Sequence, residues 1–408
     1  MKVIRCVWQY HDKKDELGPV FDYFRYCANE AIRIGIEKNF SSKYNLHYQL
    51  YHKLRIDSKF HSKYVYGALE CAAARLKLYK KTLKKKKDAK KPYISRNHLI
   101  INNQSYKIEQ DTIRIPTEPG KYLFIRLTKY VCEKIKNTKL GNVVITDDKI
   151  IISYSKNIVE QRPSNFIGID RNLNNVTTYD SKGSCIVYDL SKAQGIIASY
   201  DIVKSKFRRN DSRIIKKIFR KYGRLQKNRI HNILHCASKK ITSQNSGIIM
   251  EDIKGIRKLY RKGNGQGTKY RSKMNSWSFY ELQRQIEYKA RWLGLPANYV
   301  RAGGTSSRCA ACGSKLVPEE HRKMSCSFCN TSIDRDVNAA CNILLRGTRV
   351  VPNGITGEAV MAKPGSQEPV ICRVDVVKSS DRISSHNLIV HLNIGENHIQ
   401  RFINSNFM

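Results

Sequence analysis

Hydrophobic and polar positions divide the first 160 residues into a helical stretch flanked by strand-like segments. Residues 2–8 predict a short strand, because β-branched and aromatic side chains fill the segment. From about residue 17 to 91, apolar side chains recur at three- and four-residue spacing, as at Val20 and Phe24, which predicts helices. From 92 to about 160, β-branched residues alternate or cluster between Asp-Asp and Pro-Gly turns and predict strands. We therefore expect a small β-barrel or sheet with helices inserted after its first strand.

The pattern after residue 164 predicts a domain of layered strands and helices. Three short apolar strands, separated by turns rich in asparagine, serine and glycine, predict an antiparallel meander within 165–190. Helical sequence follows over about 197–243, and the apolar run 246–253 predicts a strand covered on both faces. Two further helices are predicted, one over 278–293 and one ending at Gly347. This order is typical of an α/β layered domain.

The balance of charge predicts a nucleic-acid partner. The chain has 75 Lys and Arg residues against 34 Asp and Glu residues, a formal net charge of +41. So large an excess opposes folding by self-repulsion unless a polyanion offsets it, and nucleic-acid phosphates do so with release of counterions. A structural protein of ribosomal type or a binder of anionic membranes would share this charge. Charge alone therefore indicates a class of partner and not an activity.

The hydrophobic segments predict a protein without a membrane partner. No run of about 18 apolar residues occurs, so we expect no membrane span. The first residues lack the apolar segment of a secretory signal. We therefore expect a soluble intracellular protein.

Four of the twelve cysteines form two C-x-x-C pairs that predict a structural zinc site. Thirteen residues separate the pairs, and two such turns can place four thiolates tetrahedrally around Zn²⁺, with no coordination position left open. The alternative of four ordinary free thiols is disfavoured by the spacing. We expect the eight scattered cysteines to be small buried apolar residues. The predicted zinc ligands are Cys309, Cys312, Cys326 and Cys329.

Three acidic residues stand where a carboxylate is costly unless a cation or several donors compensate it. Asp170 and Glu251 each close a short apolar strand, and Asp336 stands where a helix begins after the second cysteine pair. The ends of central strands can converge, so the three acids predict a site for Mg²⁺, which prefers oxygen ligands. Two such ions can activate water and stabilise the leaving oxygen of a phosphodiester. Each acid could instead cap a turn or helix, and Asp334 competes with Asp336 for the third role.

Two basic surfaces are predicted to contact phosphates. One comes directly after the last helix predicted in the first half of the chain. The other occupies one side of an amphipathic helix within 197–243. An ordinary solvated face is the alternative, although such faces usually mix both signs of charge. Tyr260, Tyr270 and Trp277 lie near basic residues in the sequence, and they could stack on unpaired bases or belong to the core. The candidate residues are Lys84, Lys85, Lys86, Lys87, Arg213, Lys217, Arg220, Arg224 and Lys227.

Several motifs between about 165 and 347 resemble those of the TnpB family, transposon-encoded OrfB-type proteins related to compact type V CRISPR effectors. GIDRNLNNVTTYDSKG resembles the first RuvC motif of the family, and IIMEDIKGIRK resembles the second. TSSRCAACG, CSFCN and DRDVNAACNILLRG resemble the zinc ribbon and the third RuvC motif. One departure is that Arg171 and Asn172 follow Asp170 where Leu-Gly is common in the family.

The resemblance implies a multidomain α+β and α/β fold. It comprises an N-terminal β-barrel (wedge) with an inserted helical recognition domain, then an RNase H-like RuvC nuclease core with an inserted zinc ribbon. The expected bounds are 1–15 and 92–162 for the wedge, 16–91 for the recognition helices, 163–302 and 332–350 for the nuclease core, 303–331 for the zinc ribbon, and 351–408 for an unassigned tail.

The resemblance also implies an RNA-guided DNA endonuclease of the prokaryotic cytoplasm, associated with the nucleoid. Its partners would be a guide RNA, double-stranded target DNA and the displaced single strand. Asp170, Glu251 and Asp336 would hold two catalytic Mg²⁺ ions beside the structural Zn²⁺, since the family favours Asp336 over Asp334. The alternatives are a guided repressor without cleavage, a basic zinc-ribbon nucleic-acid-binding protein without a guide, and a transposase. The intact acids argue against a repressor, the three motifs against an unguided binder, and the lack of a Tyr nucleophile in an H-x-H setting against a transposase.

Overall fold

The computed structural model describes residues 1–56, 58–207, 212–253, 255–261, 263, 265–348 and 370–373. These residues form two compact units, one within Met1–Asn157 and one within Ile158–Lys378. Each unit mixes helices and strands, so the predicted multidomain α and β architecture is confirmed at this level. The expected tail 351–408 lies outside the described residues apart from one short strand.

Helices in the first unit form where apolar residues recur at helical spacing. They are α1 (Lys14–Glu37), α2 (Lys43–Arg55), α3 (Lys63–Leu83) and α4 (Lys129–Ile135). The first three confirm the helical pattern predicted from about 17 to 91, and α1 buries Phe21 and Phe24 completely. The fourth lies within 92–160, where the sequence predicted strands and no helix. At Gly67 of α3 a methyl group would overlap the carbonyl oxygen of Ile100, so glycine allows this helix to pack directly on the neighbouring strand.

Strands of the first unit form two separate antiparallel sheets. They are β1 (Lys2–Tyr10), β2 (His98–Ile101), β3 (Lys107–Glu109), β4 (Thr112–Glu118), β5 (Lys121–Arg126), β6 (Lys139–Thr146) and β7 (Lys149–Asn157). One sheet has the order β1-β7-β6-β2 and the other the order β3-β4-β5. The expectation of a closed barrel is therefore wrong for the described residues. Side-chain alternation predicts strands, but closure depends on strand tilt and register, which alternation does not encode.

A six-stranded sheet forms the centre of the second unit. Its strands are β8 (Phe166–Arg171), β9 (Asn175–Asp180), β10 (Cys185–Asp189), β11 (Gly247–Asp252), β12 (Ala297–Arg301) and β16 (Val370–Arg373). The order is β12-β11-β8-β9-β10-β16. The first three strands in the chain form the predicted antiparallel meander, and β11 and β12 run parallel to β8. β16 extends the edge at β10, where the sequence predicted no element.

Helices cover both faces of this sheet, which confirms the layered prediction. The helices are α5 (Ser191–Ser205), α6 (Ser212–Thr242), α7 (Thr268–Ser276), α8 (Phe279–Trp292) and α9 (Arg335–Thr348), with a short 3-10 helix at Ile256–Tyr260. Apolar residues of α5, α6 and α8 pack on one face, and those of α9 pack on the other. The stretch predicted as helical over 197–243 is thus two helices. At Gly168 of β8 a methyl group would overlap the carbonyl oxygen of Ala340, so α9 lies directly on this strand.

A small three-stranded sheet lies in the sequence between β12 and α9. It consists of β13 (Val317–Pro318), β14 (Lys323–Ser325) and β15 (Ser332–Asp334), which pair antiparallel in that order. The four paired cysteines flank these strands. Across the described part of the chain, every helix is too short or too polar to cross a membrane.

Candidate functional site

Asp170 and Glu251 lie at adjacent positions on two parallel strands, each near the carboxyl end of its strand. In the pairing of β8 with β11, Ile169 is opposite Met250, so Asp170 and Glu251 are the next residues of the register. Side chains alternate between the faces of a sheet. Both acids therefore project to the face that α9 covers, and Asp170 is only 9% exposed. The fold thus brings together two carboxylates that the sequence places in separate motifs.

Asp336 occupies the first turn of α9 and is buried. Asn175 of β9 donates a hydrogen bond from Nδ2 to Oδ2 of Asp336 at 3.4 Å. The competing acid, Asp334, has a different partner: its Oδ1 accepts hydrogen bonds from the backbone N–H groups of Asp336 at 2.7 Å and Val337 at 3.2 Å. Asp334 therefore caps the helix, while Asp336 stands on the side of α9 that packs against the sheet.

Burial and repulsion from a neighbouring carboxylate disfavour the charged form of Asp170. Burial raises the pKa of Asp170 to about 6, and the charge of Glu251 contributes in the same direction. Asn172 opposes this shift by donating a hydrogen bond from Nδ2 to Oδ2 of Asp170 at 2.7 Å, and nearby Arg171 and Arg322 act in the same sense. A carboxylate so disfavoured beside another acid is what a cation site requires.

Two buried oxygen atoms without a hydrogen-bond partner among the described residues lie on the same face of the sheet. They are Oδ1 of Asn175 and Oγ1 of Thr177. Thr177 is directly opposite Asp170 in the pairing of β8 with β9, so its side chain is on the acid face. Buried oxygens of this kind need a partner, and a hydrated cation supplies both positive charge and water donors. The donor set therefore fits Mg²⁺.

Arg322 is a member of the site that sequence reasoning missed. It lies in the turn before β14, and its guanidinium bonds to Oδ2 of Asp336. The backbone carbonyl oxygen of Arg322 also accepts a hydrogen bond from the N–H of Arg335 at 2.8 Å, which anchors the turn to the start of α9. One arginine among 75 basic residues has no distinguishing pattern, so no signal in the sequence could have identified it.

Arg171, the departure from the family pattern, is buried on the opposite face of the sheet. It donates hydrogen bonds to Oε1 of Gln283 on α8 at 2.8 Å and to the backbone carbonyl oxygen of Glu251 at 2.6 Å. Burial lowers the pKa of this guanidinium, and the nearby carboxylates, Glu251 first, oppose that effect. Arg171 therefore ties α8 to the strand end that carries Glu251.

The four paired cysteines converge as predicted. Their sulfur atoms all lie within 4.8 Å of one another, and among the described residues no other set of three or more possible metal ligands is so compact. Cys309 Sγ lies 3.6 Å from Cys329 Sγ, and Cys312 Sγ lies 3.4 Å from Cys326 Sγ. A tetrahedral site with Zn–S bonds of about 2.3 Å places its sulfurs roughly 3.8 Å apart. The cluster therefore fits Zn²⁺, whereas the three carboxylates form a looser group.

Tight turns build this cluster. Gly313 adopts a φ of 79°, and its N–H donates to the carbonyl oxygen of Cys309 at 2.8 Å, which closes the first turn. Of the scattered cysteines, Cys6 and Cys71 are buried as expected, but Cys236 is only partly buried.

The predicted basic side chains are exposed on two separate units. The four lysines after α3 are exposed in the first unit, and the five basic residues on α6 are exposed in the second, on a helix that contains no acidic residue. These side chains therefore lie at the protein surface. Trp277 is only 1% exposed and belongs to the core, so the hypothesis that it stacks on bases is wrong, while Tyr270 is exposed.

Comparison with known proteins identifies the family. A family model described as Cas12f1-like, TNB domain matches residues 279–343, and the model of the Uncharacterized protein MJ0013 family matches residues 20–116. TnpB-like protein MJ0751 of Methanocaldococcus jannaschii is 33% identical over 264 residues, which cover 60% of this chain and 94% of that protein. InsQ of Escherichia coli is 29% identical over 181 residues, which cover 41% of this chain and 43% of InsQ. The name given to InsQ describes it as an RNA-guided DNA endonuclease.

Among solved structures, a Cas12f1-sgRNA-target DNA complex aligns with a TM-score of 0.49 at 14% identity, covering 81% of this chain and 82% of that chain. Fold and site together define a multidomain protein with an acid cluster on an α/β sheet beside a four-cysteine centre. The chain belongs to the TnpB family.

Proposed function

We propose that this protein is a transposon-associated, RNA-guided DNA endonuclease that cleaves double-stranded DNA next to a short flanking motif. The observation that carries the proposal is that Asp170 and Glu251 lie at adjacent positions on one face of the sheet, the face covered by the helix that carries Asp336. Two of the acids are buried, and uncompensated oxygens lie beside them. The name of InsQ supports the RNA-guided cleavage of DNA as the activity of this family.

The proposed nuclease core is RNase H-like (RuvC), with the bounds 163–302 and 332–350 and the zinc ribbon 303–331 inserted. A meander of three antiparallel strands followed by two strands parallel to its first supports this assignment. We assign 1–15 and 92–162 to the wedge and 16–91 to the recognition helices, although the strands of the first unit form open sheets.

The acid site would hold Mg²⁺ through Asp170, Glu251 and Asp336. When bound, two ions would supply an activated water and charge stabilisation for the leaving oxygen of a phosphodiester. Asn172 and Asn175 orient two of the carboxylates by hydrogen bonds. Because these oxygens are held in place before substrate arrives, little reorganisation is needed at the reacting phosphate.

Arg322 brings a positive charge to the same place. Its guanidinium can pair with a phosphate oxygen as a planar, two-pronged donor, since half of its side-chain surface remains exposed. The four cysteines would hold Zn²⁺ in a closed, structural site that fixes the turn carrying Arg322. Guide RNA and the DNA strands would bind the exposed basic surfaces, where Lys and Arg contact the backbone while base pairing reads the sequence.

The test is a DNA cleavage assay. The protein is purified together with the RNA that is co-expressed from the region flanking its gene. The substrate is a plasmid library with randomised bases beside a target that matches the RNA. We expect Mg²⁺-dependent double-strand cuts at one short motif, lost in Asp170→Ala and in Glu251→Ala. The opposite outcome is tight, RNA-dependent binding to DNA without cutting, with neither substitution changing the binding. That result would refute the endonuclease proposal and favour the guided repressor. Binding independent of RNA would favour an unguided zinc-ribbon protein.

A further inference from the structure

Thr305 connects the acid site to the segment that leads into the first cysteine pair. It is 3% exposed, and its Oγ1 donates a hydrogen bond to Oε1 of Glu251. The carbonyl oxygen of Ala302 is the other acceptor within reach, at 2.9 Å. A hydroxyl has one proton to donate, and a hydrogen bond to a charged acceptor is roughly twice as strong as one to a neutral acceptor. The carboxylate of Glu251 is therefore the favoured partner.

Two buried asparagines of α9 hold Thr305 in place. Nδ2 of Asn342 donates to the carbonyl oxygen of Thr305 at 2.8 Å and to that of Arg308 at 2.7 Å. Nδ2 of Asn338 donates to the same two oxygens at 3.4 Å and 2.8 Å, and its Oδ1 accepts the N–H of Ala310 at 2.9 Å. Both side chains are nearly or fully buried. A buried amide with several partners specifies a single arrangement of the backbone it contacts.

This clamp, defined by Thr305, Asn338 and Asn342, joins the acid site to the four-cysteine centre. The clamped backbone runs from Thr305 to Ala310 and includes Cys309, a ligand of the proposed zinc site. The two asparagines lie on the same helix as Asp336, within two turns of it. The segment before the zinc ligands, Glu251 and the helix of Asp336 are thus one connected hydrogen-bonded unit.

We infer that Thr305 is a positioning residue, which fixes the carboxylate of Glu251 and makes its orientation depend on the four-cysteine centre. The inference rests on the proposed function, since it assumes that Glu251 binds a divalent cation. Residues that hydrogen-bond to a metal ligand hold it in its binding orientation, and their loss typically weakens metal affinity by about 10- to 100-fold.

The experiment compares Thr305→Val, which keeps the shape without the hydroxyl, with Thr305→Ser, which keeps the hydroxyl. The readout is Mn²⁺ affinity of the full-length zinc-loaded protein, followed by the electron paramagnetic resonance of free Mn²⁺, with Asp170→Ala defining binding at the acid site. We expect Thr305→Val to bind Mn²⁺ about 10- to 100-fold more weakly and Thr305→Ser to bind nearly as wild type. Zinc content should be unchanged in both. Wild-type Mn²⁺ affinity in Thr305→Val would overturn the inference.

Asn342→Leu tests the link to the cysteine centre. It leaves Thr305 and Glu251 unchanged but removes the amide that holds the Thr305 carbonyl oxygen. A loss of Mn²⁺ affinity in the same direction supports the clamp, and an unchanged affinity in the folded variant contradicts it. Should wild-type protein bind Mn²⁺ through Asp170 yet cleave no guided target, the endonuclease proposal fails while the positioning role stands. Cleavage and Mn²⁺ binding by Thr305→Val at wild-type levels would reject the positioning role alone.

Discussion

Asp334 and Asp336 stand two residues apart at the start of α9, and their carboxylates have different tasks. Oδ1 of Asp334 accepts the backbone N–H of Asp336 at 2.7 Å as a helix cap, whereas the carboxylate of Asp336 is buried and bonded by Asn175 and Arg322. Asp336→Asn keeps the shape but removes the charge that would bind a cation. We expect guided cleavage to fall by more than the roughly 100-fold that outer contacts of a metal ligand are worth.

Asp334→Asn is the matched control for this prediction. Asparagine caps a helix about as well as aspartate, so helix and activity should both persist within a few-fold. Cleavage rates of the two variants on one guided target, with circular dichroism to verify folding, provide the measurement. Equal losses in both variants would contradict the assignment of Asp336 as the third acid.

Arg171 should contribute to stability through its two partners rather than through its charge alone. Arg171→Leu leaves Oε1 of Gln283 and the carbonyl oxygen of Glu251 without their donor. An unsatisfied buried acceptor costs about 1–3 kcal/mol, so we expect the free energy of unfolding to fall by at least that much. Urea unfolding followed by fluorescence measures the loss.

The double variant Arg171→Leu with Gln283→Leu separates the pair from its surroundings. Residues in direct contact show interaction energies of about 0.5–3 kcal/mol in such cycles. We therefore expect the double variant to lose less stability than the sum of the two single variants. Strict additivity would show that the hydrogen bond between Arg171 and Gln283 contributes nothing.

The basic side of α6 should determine part of the salt dependence of RNA binding. Each phosphate contact contributes roughly 0.7–0.9 to the slope of log affinity against log salt concentration. Replacing Lys217 and Arg224 together with glutamine should lower the magnitude of that slope by about 1.5. Lys182→Gln is the control, because Lys182 is exposed at a turn of the same unit. A slope unchanged by the double substitution would identify α6 as an ordinary solvated helix.

His235 predicts how the second unit responds to acid. Burial, with a smaller effect from the charge of Lys289, lowers the pKa of His235 to about 3 from the ordinary 6.5. The unfolded chain therefore binds the proton first as pH falls. The contribution of His235 to the free energy of unfolding is thus fully present above about pH 6.5 and is lost progressively towards pH 3. The loss for one such group is at most about 1.4 kcal/mol per pH unit.

Thermal unfolding between pH 7 and pH 4.5 checks this dependence. His235→Gln cannot gain a proton, so its midpoint should fall less steeply with acid than that of the wild type. His321→Gln alters an exposed histidine in the turn before β14 and should follow the wild-type curve. A wild-type slope in His235→Gln would assign the acid sensitivity to other groups.

Local patterns in the sequence predicted many of the elements and singled out the candidate site residues. Hydrophobic spacing predicted the first three helices of the first unit and the meander and buried strand of the second, because side-chain periodicity follows directly from helix and strand geometry. The spacing of Cys309, Cys312, Cys326 and Cys329 predicted a four-thiolate cluster, since two short turns and a hairpin are local structures. The acids were recognisable as Asp170 and Glu251 because each ends an apolar run.

Only the tertiary structure decided which groups meet. Whether strands close into a barrel depends on tilt and register between distant segments, and the first unit forms open sheets instead. The contact of Arg322 with Asp336, and the clamp of Thr305 by Asn338 and Asn342, join residues on separate elements whose side chains have no periodic signature. Hydrogen bonds across a fold depend on packing geometry, and packing is the part of structure that a linear pattern does not contain.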